Sequence, residues 1–396
     1  MATPGTPEGR NAGVPGVCGS PGVPGIGQRL PALDGLRGIA ILMVLLHQLL
    51  VIEPATLGPW ARRASHVIDI GWVGVTLFFV LSGFLITHLL LALQGQPGTL
   101  RVFYARRALR IVPLAWLMVL VMFVLLPGLG LRGVSDQPDH AAWYLLFLAN
   151  WAQVFRLGGT ELPSFWSLGV EEQFYLLWPA LLAGRSARAV LWLALAVAAV
   201  GVALRVAMVA LGAAPEGIYV NTFARMDALA AGAALAAALR LPSATGWLRL
   251  HRHRLAAAAL AIALIGLLAT HGFPRLRPIG QTLGYTLQTL IFTLWLAAAL
   301  GADLGNSASA LHARWLRSFG QYSYAIYVAH HPLHMLAGPR LREALGQTGL
   351  DGLPIALAYI VAGTALLWVL GWLSWSLIER PLQARRPDYP ALARPA

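Results

Sequence analysis

The amino-acid sequence predicts an all-α protein built as a polytopic membrane helical bundle of about ten transmembrane helices. Of its 396 residues, 58% are hydrophobic and only 11% are charged, against a charged fraction of roughly 25% in soluble globular domains. The mean hydropathy is positive, at +0.66. Apolar runs long enough to cross roughly 30 Å of hydrocarbon recur along the whole chain. The formal net charge is +13 and all 29 basic residues are arginine. These arginines sit in short segments between the apolar runs instead of forming one basic face, so they read as topology signals and imply no nucleic-acid partner. The single Cys18 excludes an intramolecular disulfide or a cysteine metal cluster, and no metal is expected.

Residues 1–28 form a Gly/Pro-rich tail with glycine at every third position from Gly13 to Gly25. That stretch is too short for a stable collagen-like helix and reads as a disordered cytoplasmic tail. It lacks the basic start, apolar core and cleavage site of a signal peptide, so the first span is expected to direct insertion. The membrane domain covers 29–382, with spans near 36–53, 68–93, 111–127, 166–184, 188–212, 218–240, 255–271, 279–301, 318–337 and 354–378. A cytoplasmic tail, 383–396, follows. The stretch 141–156 is apolar but shorter and is flanked by Asp136, Asp139 and Glu161, which suits an interfacial or re-entrant element. With the N-terminus inside, the inner segments carry more than twice as many arginines as the outer ones. That bias fits ten spans in the plasma (inner) membrane with both termini cytoplasmic. No internal repeat, second soluble domain or signal of oligomeric state is visible.

The polar residues then sort by depth. In the run Arg29–Gln48, Asp34 suits an N-cap, Arg37 stays near the cytoplasmic end, and His47 lies past the middle of the first span. A titratable imidazole inside a span is a functional-site candidate, because burying it is costly unless it is paired or used. In FYARRALRIVP, Arg107 and Arg110 are three apart and share a helical face that can hold phosphates, while Arg106 is turned off it. In SFWSLGVEEQFYLLWP, Glu171 and Glu172 are adjacent and point about 100° apart on a helix, so they cannot act as a carboxylate dyad. One suits orienting a partner while the other caps or faces water. Arg225 and Asp227 interrupt an Ala-rich span, where such charges persist when paired or facing a cavity. Either an ion pair with Glu171 or Glu172 or substrate contact would account for them. Tyr327 and His330 stand at i, i+3 and can face one site, whereas His331, before Pro332, reads as a local contact. Glu379-Arg380-Pro381 reads as a helix-ending salt-bridge element.

Together LDGLRGIAILMVLLH, FFVLSGFLIT, RRALRIVP, WSLGVEEQFY, RMDALAAG, YSYAIYVAHHP and the terminal IERP resemble the acyltransferase-3 family of integral membrane O-acyltransferases. The motifs run in that family's order from about Leu30 to Pro381. The resemblance implies a bundle of ten helices that transfers an acyl group, often acetyl, from cytoplasmic acyl-CoA to a hydroxyl. Acceptors in the family include envelope polysaccharides, lipopolysaccharide O-antigen and the sugars of macrolide antibiotics. It also implies an essential first-helix histidine and an Arg-x-x-Arg pair, here His47 and Arg107 with Arg110. Family members usually place ten residues between the first-helix Arg and His, whereas nine lie between Arg37 and His47. That spacing leaves the two about 80° apart on a helix, so either the first turn is not helical or Arg37 reaches the site indirectly.

The residue inventory suits this chemistry. O-acylation by a thioester needs a base to take the hydroxyl proton, and an imidazole, with an ordinary pKa near 6.5, suits that role. His47 is the expected base. Tyr327, His330 and Arg225, in falling order, are candidates to stabilise the oxyanion, and Glu172 to fix the imidazole tautomer. Arg107 and Arg110, with Arg37, are expected to hold the CoA phosphates. Glu171, Arg225 and Asp227 are expected at the acceptor. No bound cofactor is expected, and acyl-CoA, acetyl-CoA in the first place, is the co-substrate. The acceptor is a saccharide or a glycosylated small molecule or lipid-linked sugar, and the remaining partner is membrane lipid. A glycoconjugate transporter or flippase is the alternative, but the broken half-helices in paired repeats that it would show are not found.

Overall fold

The computed structural model describes residues 30–49, 68–130, 137–305, 309–347 and 352–389. The expected N-terminal tail and the last residues of the C-terminal one lie outside this set. All regular structure among the described residues is helical: α1 (Pro31–Leu49), α2 (Gly74–Ala92), α3 (Thr99–Leu120), α4 (Ala141–Leu145), α5 (Ala149–Val154), α6 (Phe165–Leu182), α7 (Ala187–Ala210), α8 (Pro215–Val220), α9 (Thr222–Ala238), α10 (Ala244–Ala269), α11 (Tyr285–Leu304), α12 (Arg314–Gly346), α13 (Gly352–Ser374) and α14 (Arg380–Ala384). A 3-10 turn, Ile70–Val73, leads into α2, and π-helical turns extend α3, precede α11 and follow α13. In hydrocarbon the helix is the solution that satisfies every backbone group within one segment.

Seven helices among the described residues are long and apolar enough to cross a bilayer: Pro31–Leu49, Ile70–Ala92, Thr99–Gly128, Ala187–Ala210, Ala244–Ala269, Gly280–Leu304 and Pro354–Ala384. The chain is a multi-pass membrane protein. The other three expected spans are also helices, α6, α9 and α12. The span expected at 218–240 is split at Asn221, whose side-chain oxygen accepts from the Phe223 and Ala224 N–H groups at 2.9 and 3.2 Å and so starts α9 afresh. Asp34, expected as an N-cap, lies inside α1; Asp303 of α11 instead accepts from the Ala32 N–H at 3.2 Å.

The stretch expected to be interfacial or re-entrant is two short helices, α4 and α5, neither able to cross. Gln173 of α6 pins them to the bundle: its amide nitrogen donates to Phe147 O and Asn150 Oδ1, both at 3.0 Å, and its oxygen accepts from Trp151 at 3.0 Å and Thr222 at 2.6 Å.

The motif glycines explain how the helices come so close. A Cβ on Gly83 of α2 would strike the Leu229 carbonyl of α9, and one on Gly232 of α9 would strike the Val80 carbonyl of α2. Without a hydrophobic drive between spans, such small residues let backbones meet and gain dispersion. A buried ion pair locks the next layer. Arg205 of α7 lies 2.9 Å from Asp227 of α9 and donates to Ala224 O at 2.6 Å and to Thr286 Oγ1 at 2.8 Å.

Candidate active site

The last turn of α1 carries His47 to the edge of a cavity of about 360 Å³, also lined by Gln48, Trp72, Trp166, Tyr219, Arg275, Tyr327, His330 and His331. Gly71, whose absent Cβ would meet the Met43 carbonyl, lets the turn before α2 press against α1. That approach delivers Asp69, whose Oδ1 lies 3.0 Å from His47 Nδ1. On the other side Arg275 Nη1 lies 3.4 Å from His47 Nε2. A carboxylate only accepts and a guanidinium only donates. Together they assign the neutral tautomer with hydrogen on Nδ1 and the lone pair of Nε2 facing the cavity.

The floor of this cavity is aromatic. Tyr219 packs against Trp166 at 4.6 Å and Trp72 at 5.8 Å between ring centroids, and Trp72 against Tyr285 at 5.4 Å. Arg225 is sealed behind that floor. Its guanidinium lies 4.3 Å from the Tyr285 ring and 5.7 Å from that of Tyr219, and it donates to Thr76 Oγ1 at 2.9 Å.

A second, smaller cavity of about 50 Å³ lies further along α1, lined by Arg37, Ser82, Glu171, Ser323 and Tyr324 and sharing Val75 and Tyr327 with the first. The Tyr327 hydroxyl, 2.5 Å from Ser167 Oγ and 3.1 Å from the Ser164 carbonyl oxygen, stands between the two. Arg37 and His47 share one unbroken helix and so are about 15 Å apart along its axis. The first turn is therefore helical, and Arg37 belongs to the second cavity. Its neighbours within Coulombic reach include Glu171, Tyr175, Arg107 and Arg110. Arg107 and Arg110 lie inside α3, which starts at Thr99, earlier than expected. The Arg107 guanidinium is 5.1 Å from the Tyr175 ring, and Tyr175 donates to Glu171 at 2.6 Å. Arg106 does face elsewhere, donating to Pro387 O at 2.7 Å.

The structure thus places His47, Tyr327 and His330 on one cavity, and Arg37, Arg107, Arg110 and Glu171 at the other end. It moves five residues from their expected places. Glu172 neighbours Arg107 and Glu171, not His47, because α6 presents its carboxylates toward the arginine end; the carboxylate at the imidazole is Asp69. Asp227 pairs with Arg205, and Arg225 with aromatic rings, so neither meets Glu171 or Glu172 and neither lines the cavity. His331, expected as a local contact, lines it and accepts from Gln48 Nε2 at 3.2 Å. Glu379 is buried within Coulombic reach of Arg110 and Arg37, and its hydrogen bond comes from Ser374 at 3.3 Å instead of a salt bridge to Arg380. Two residues at His47 escaped the sequence reading. Asp69 carried one signal, a lone carboxylate at the start of an apolar run; Arg275 carried none, being one loop arginine among several.

Comparison with known proteins bears on the family. A family model of the acyltransferase-3 type, described as "Acyltransferase domain", matches residues 30–372. The chain is 29% identical over 382 residues to "Putative peptidoglycan O-acetyltransferase YrhL" of Bacillus subtilis (strain 168), covering 90% of this chain and 55% of that protein. It is 27% identical over 376 residues to "Peptidoglycan O-acetyltransferase OatA" of Listeria monocytogenes serovar 1/2a, covering 89% and 56%. The chain spans little more than half the length of these curated relatives. No solved structure matches it. Because the family model covers residues 30–372 of the 396, the chain belongs to the acyltransferase-3 family.

Proposed function

We propose that the protein is a membrane O-acyltransferase that moves a short acyl group, acetyl in the first place, from acyl-CoA to a hydroxyl of a saccharide or glycosylated acceptor. The observation that carries this reading is the His47 imidazole, oriented by Asp69 with its Nε2 lone pair toward the cavity. As the acceptor oxygen attacks the thioester carbon, its proton passes to Nε2. The C–O bond forms, the carbonyl electrons move to oxygen, and their return breaks the C–S bond. The departing CoA sulfur then takes the proton back from His47.

Arg107 and Arg110, with Arg37, supply charge for the CoA phosphates. The shared wall at Tyr327 gives the acyl-pantetheine arm a way from that end toward His47. The arginine bias favours a cytoplasmic position for that end and for both termini. The aromatic floor offers flat faces for a sugar ring, and Gln48 and Gln153 offer amides to its hydroxyls. The names of the two relatives favour a peptidoglycan-type saccharide.

The test is mass spectrometry of envelope glycans and secreted glycosylated metabolites from cells with the protein, cells lacking it, and cells complemented with His47→Ala. An acyl-sized mass should vanish in the deletion and stay absent with His47→Ala at normal membrane levels, because removing a general base costs on the order of 10²–10⁴ in rate. Full restoration by His47→Ala refutes the base.

A further inference from the structure

Arg275 belongs to the loop between α10 and α11, where a plain topology arginine would point to water or headgroups. It does not. Its side chain folds inward over the cavity, 5.2 Å from the Tyr219 ring and 3.4 Å from His47 Nε2. Its backbone is tied down as well, since its carbonyl accepts from the Tyr285 hydroxyl at 2.7 Å. Among the described residues no carboxylate lies within ion-pair distance of it. A guanidinium has five N–H donors and a permanent charge; here that charge is packed against an aromatic face and the base. Asp69 is bonded to the opposite edge of the imidazole and Glu216 lines the cavity, but among the described residues neither forms an ion pair with Arg275, so the guanidinium is not committed to a carboxylate.

We infer that Arg275 is a catalytic residue of the acyl transfer proposed above, and the inference rests on that reading. In the resting site its N–H occupies the Nε2 lone pair. The acceptor hydroxyl displaces it, taking the position from which its proton reaches Nε2. The guanidinium, shifted by about the width of one oxygen atom, then faces the thioester carbonyl. As the acceptor C–O bond forms, the carbonyl oxygen gains a full negative charge and accepts the guanidinium's N–H. It returns that charge when the C–S bond breaks and the thiolate takes the proton from His47. Arg275 gives up no proton. Oxyanion stabilisation requires a donor and a base that converge on one carbon, and Arg275 and His47 stand 3.4 Å apart on one cavity. Arg225, sealed behind the aromatic floor, does not reach this position.

The experiment uses the full chain in lipid nanodiscs, with acetyl-CoA as donor, a chitooligosaccharide as acceptor probe, and release of the CoA thiol as readout. The wild type, His47→Ala, Arg275→Gln, Arg275→Lys and Arg275→Ala with added guanidinium ion are compared. Arg275→Gln should lower kcat about 10²- to 10³-fold and leave the KM for acetyl-CoA within about threefold of the wild type. Arg275→Lys should retain more activity than the glutamine variant, and guanidinium should restore Arg275→Ala in a saturable way. A kcat for Arg275→Gln within about threefold of the wild type overturns the inference, as does a change confined to KM. A loss that neither lysine nor guanidinium restores also overturns it, since that is how removal of a loop anchor behaves. A wild type that releases no thiol, or an active His47→Ala, overturns the acyltransfer mechanism itself.

Discussion

Which nitrogen of His47 carries the hydrogen decides whether the imidazole can act as a base, and Asp69 makes that choice. Asp69→Asn keeps the shape but supplies an amide N–H₂, which can donate to Nδ1 and so move the hydrogen onto Nε2, where it blocks the base. We expect kcat to fall about 10²- to 10⁴-fold with the KM for donor unchanged, measured as thiol release in nanodiscs. An active Asp69→Asn would show that the carboxylate does not set the tautomer. Asp227, expected at the substrate, is instead half of the buried pair with Arg205, at side-chain exposures of 4% and 0%. Asp227→Ala leaves a guanidinium without its counter-ion, and such breaks cost about 3–5 kcal/mol. The expected outcome is a sharply lowered Tm in detergent that the double variant Arg205→Leu with Asp227→Ala partly recovers. A Tm unchanged by Asp227→Ala would return this residue to the acceptor.

At the scale of elements, two contacts shape the bundle around the site. The first is the α2–α9 crossing, where the missing Cβ atoms of Gly83 and Gly232 face carbonyl oxygens of the opposite helix. Gly232→Leu must push those backbones apart, and overpacking of this kind costs about 1–3 kcal/mol. We therefore expect a lower Tm, and lower activity as well, because Arg225, which backs the aromatic floor of the cavity, rides on α9. A Leu variant with wild-type Tm would mean that the helices do not touch there.

The second contact clamps α4 to the segment before α6. Glu161 accepts from His140 at 2.5 Å and from Tyr144 at 2.8 Å. Burial pushes its carboxyl up, but these hydrogen bonds more than offset that and hold it below the ordinary carboxylate range. A carboxyl lowered by folding stabilises the fold above its unfolded value, near 4.3, and that stability is lost as pH falls through the folded value. Melting followed from about pH 7 down to about pH 2 should show a drop at the acid end that Glu161→Gln lacks; parallel curves would remove the clamp.

At the scale of the whole molecule, the features of interest are laid out along α1. Arg37 sits near its beginning with Arg107 and Arg110, and His47 sits in its last turn with Asp69 and Arg275. Two cavities meet at Tyr327 between them. Such an arrangement separates the part that would grip a donor from the part that would use it. Arg107→Ala or Arg110→Ala should accordingly raise the KM for acetyl-CoA about 10- to 100-fold, the worth of a charged hydrogen bond of about 1.5–3 kcal/mol, with a smaller effect on kcat. A loss confined to kcat would put these arginines elsewhere in the reaction.

The sequence by itself determined the all-helical membrane architecture and the position of most spans, and it singled out His47, which the structure places at the edge of a cavity. Those follow from quantities local to the chain: the length of apolar runs, the positions of arginines, and a histidine that has no reason to be inside a span unless it is paired or used. The spacing of Arg37 and His47 left two readings, a non-helical first turn or an indirect reach of Arg37 to the site, and the unbroken α1 removed the first. Only the tertiary structure decided the partners. Asp69, Arg275 and His47 are brought together from two loop-side turns and a helix end, and no periodicity links positions 69, 275 and 47. The sequence pointed to Glu172 as the carboxylate at His47, but packing through Gly71 brought Asp69 against α1 instead. Arg225 and Asp227, two residues apart on one helix, point to different layers of the bundle, so one is enclosed by aromatic rings and the other bonded to Arg205. Residue type fixes what a side chain can do, but a partner from a distant part of the chain is chosen by which backbones come close enough to meet.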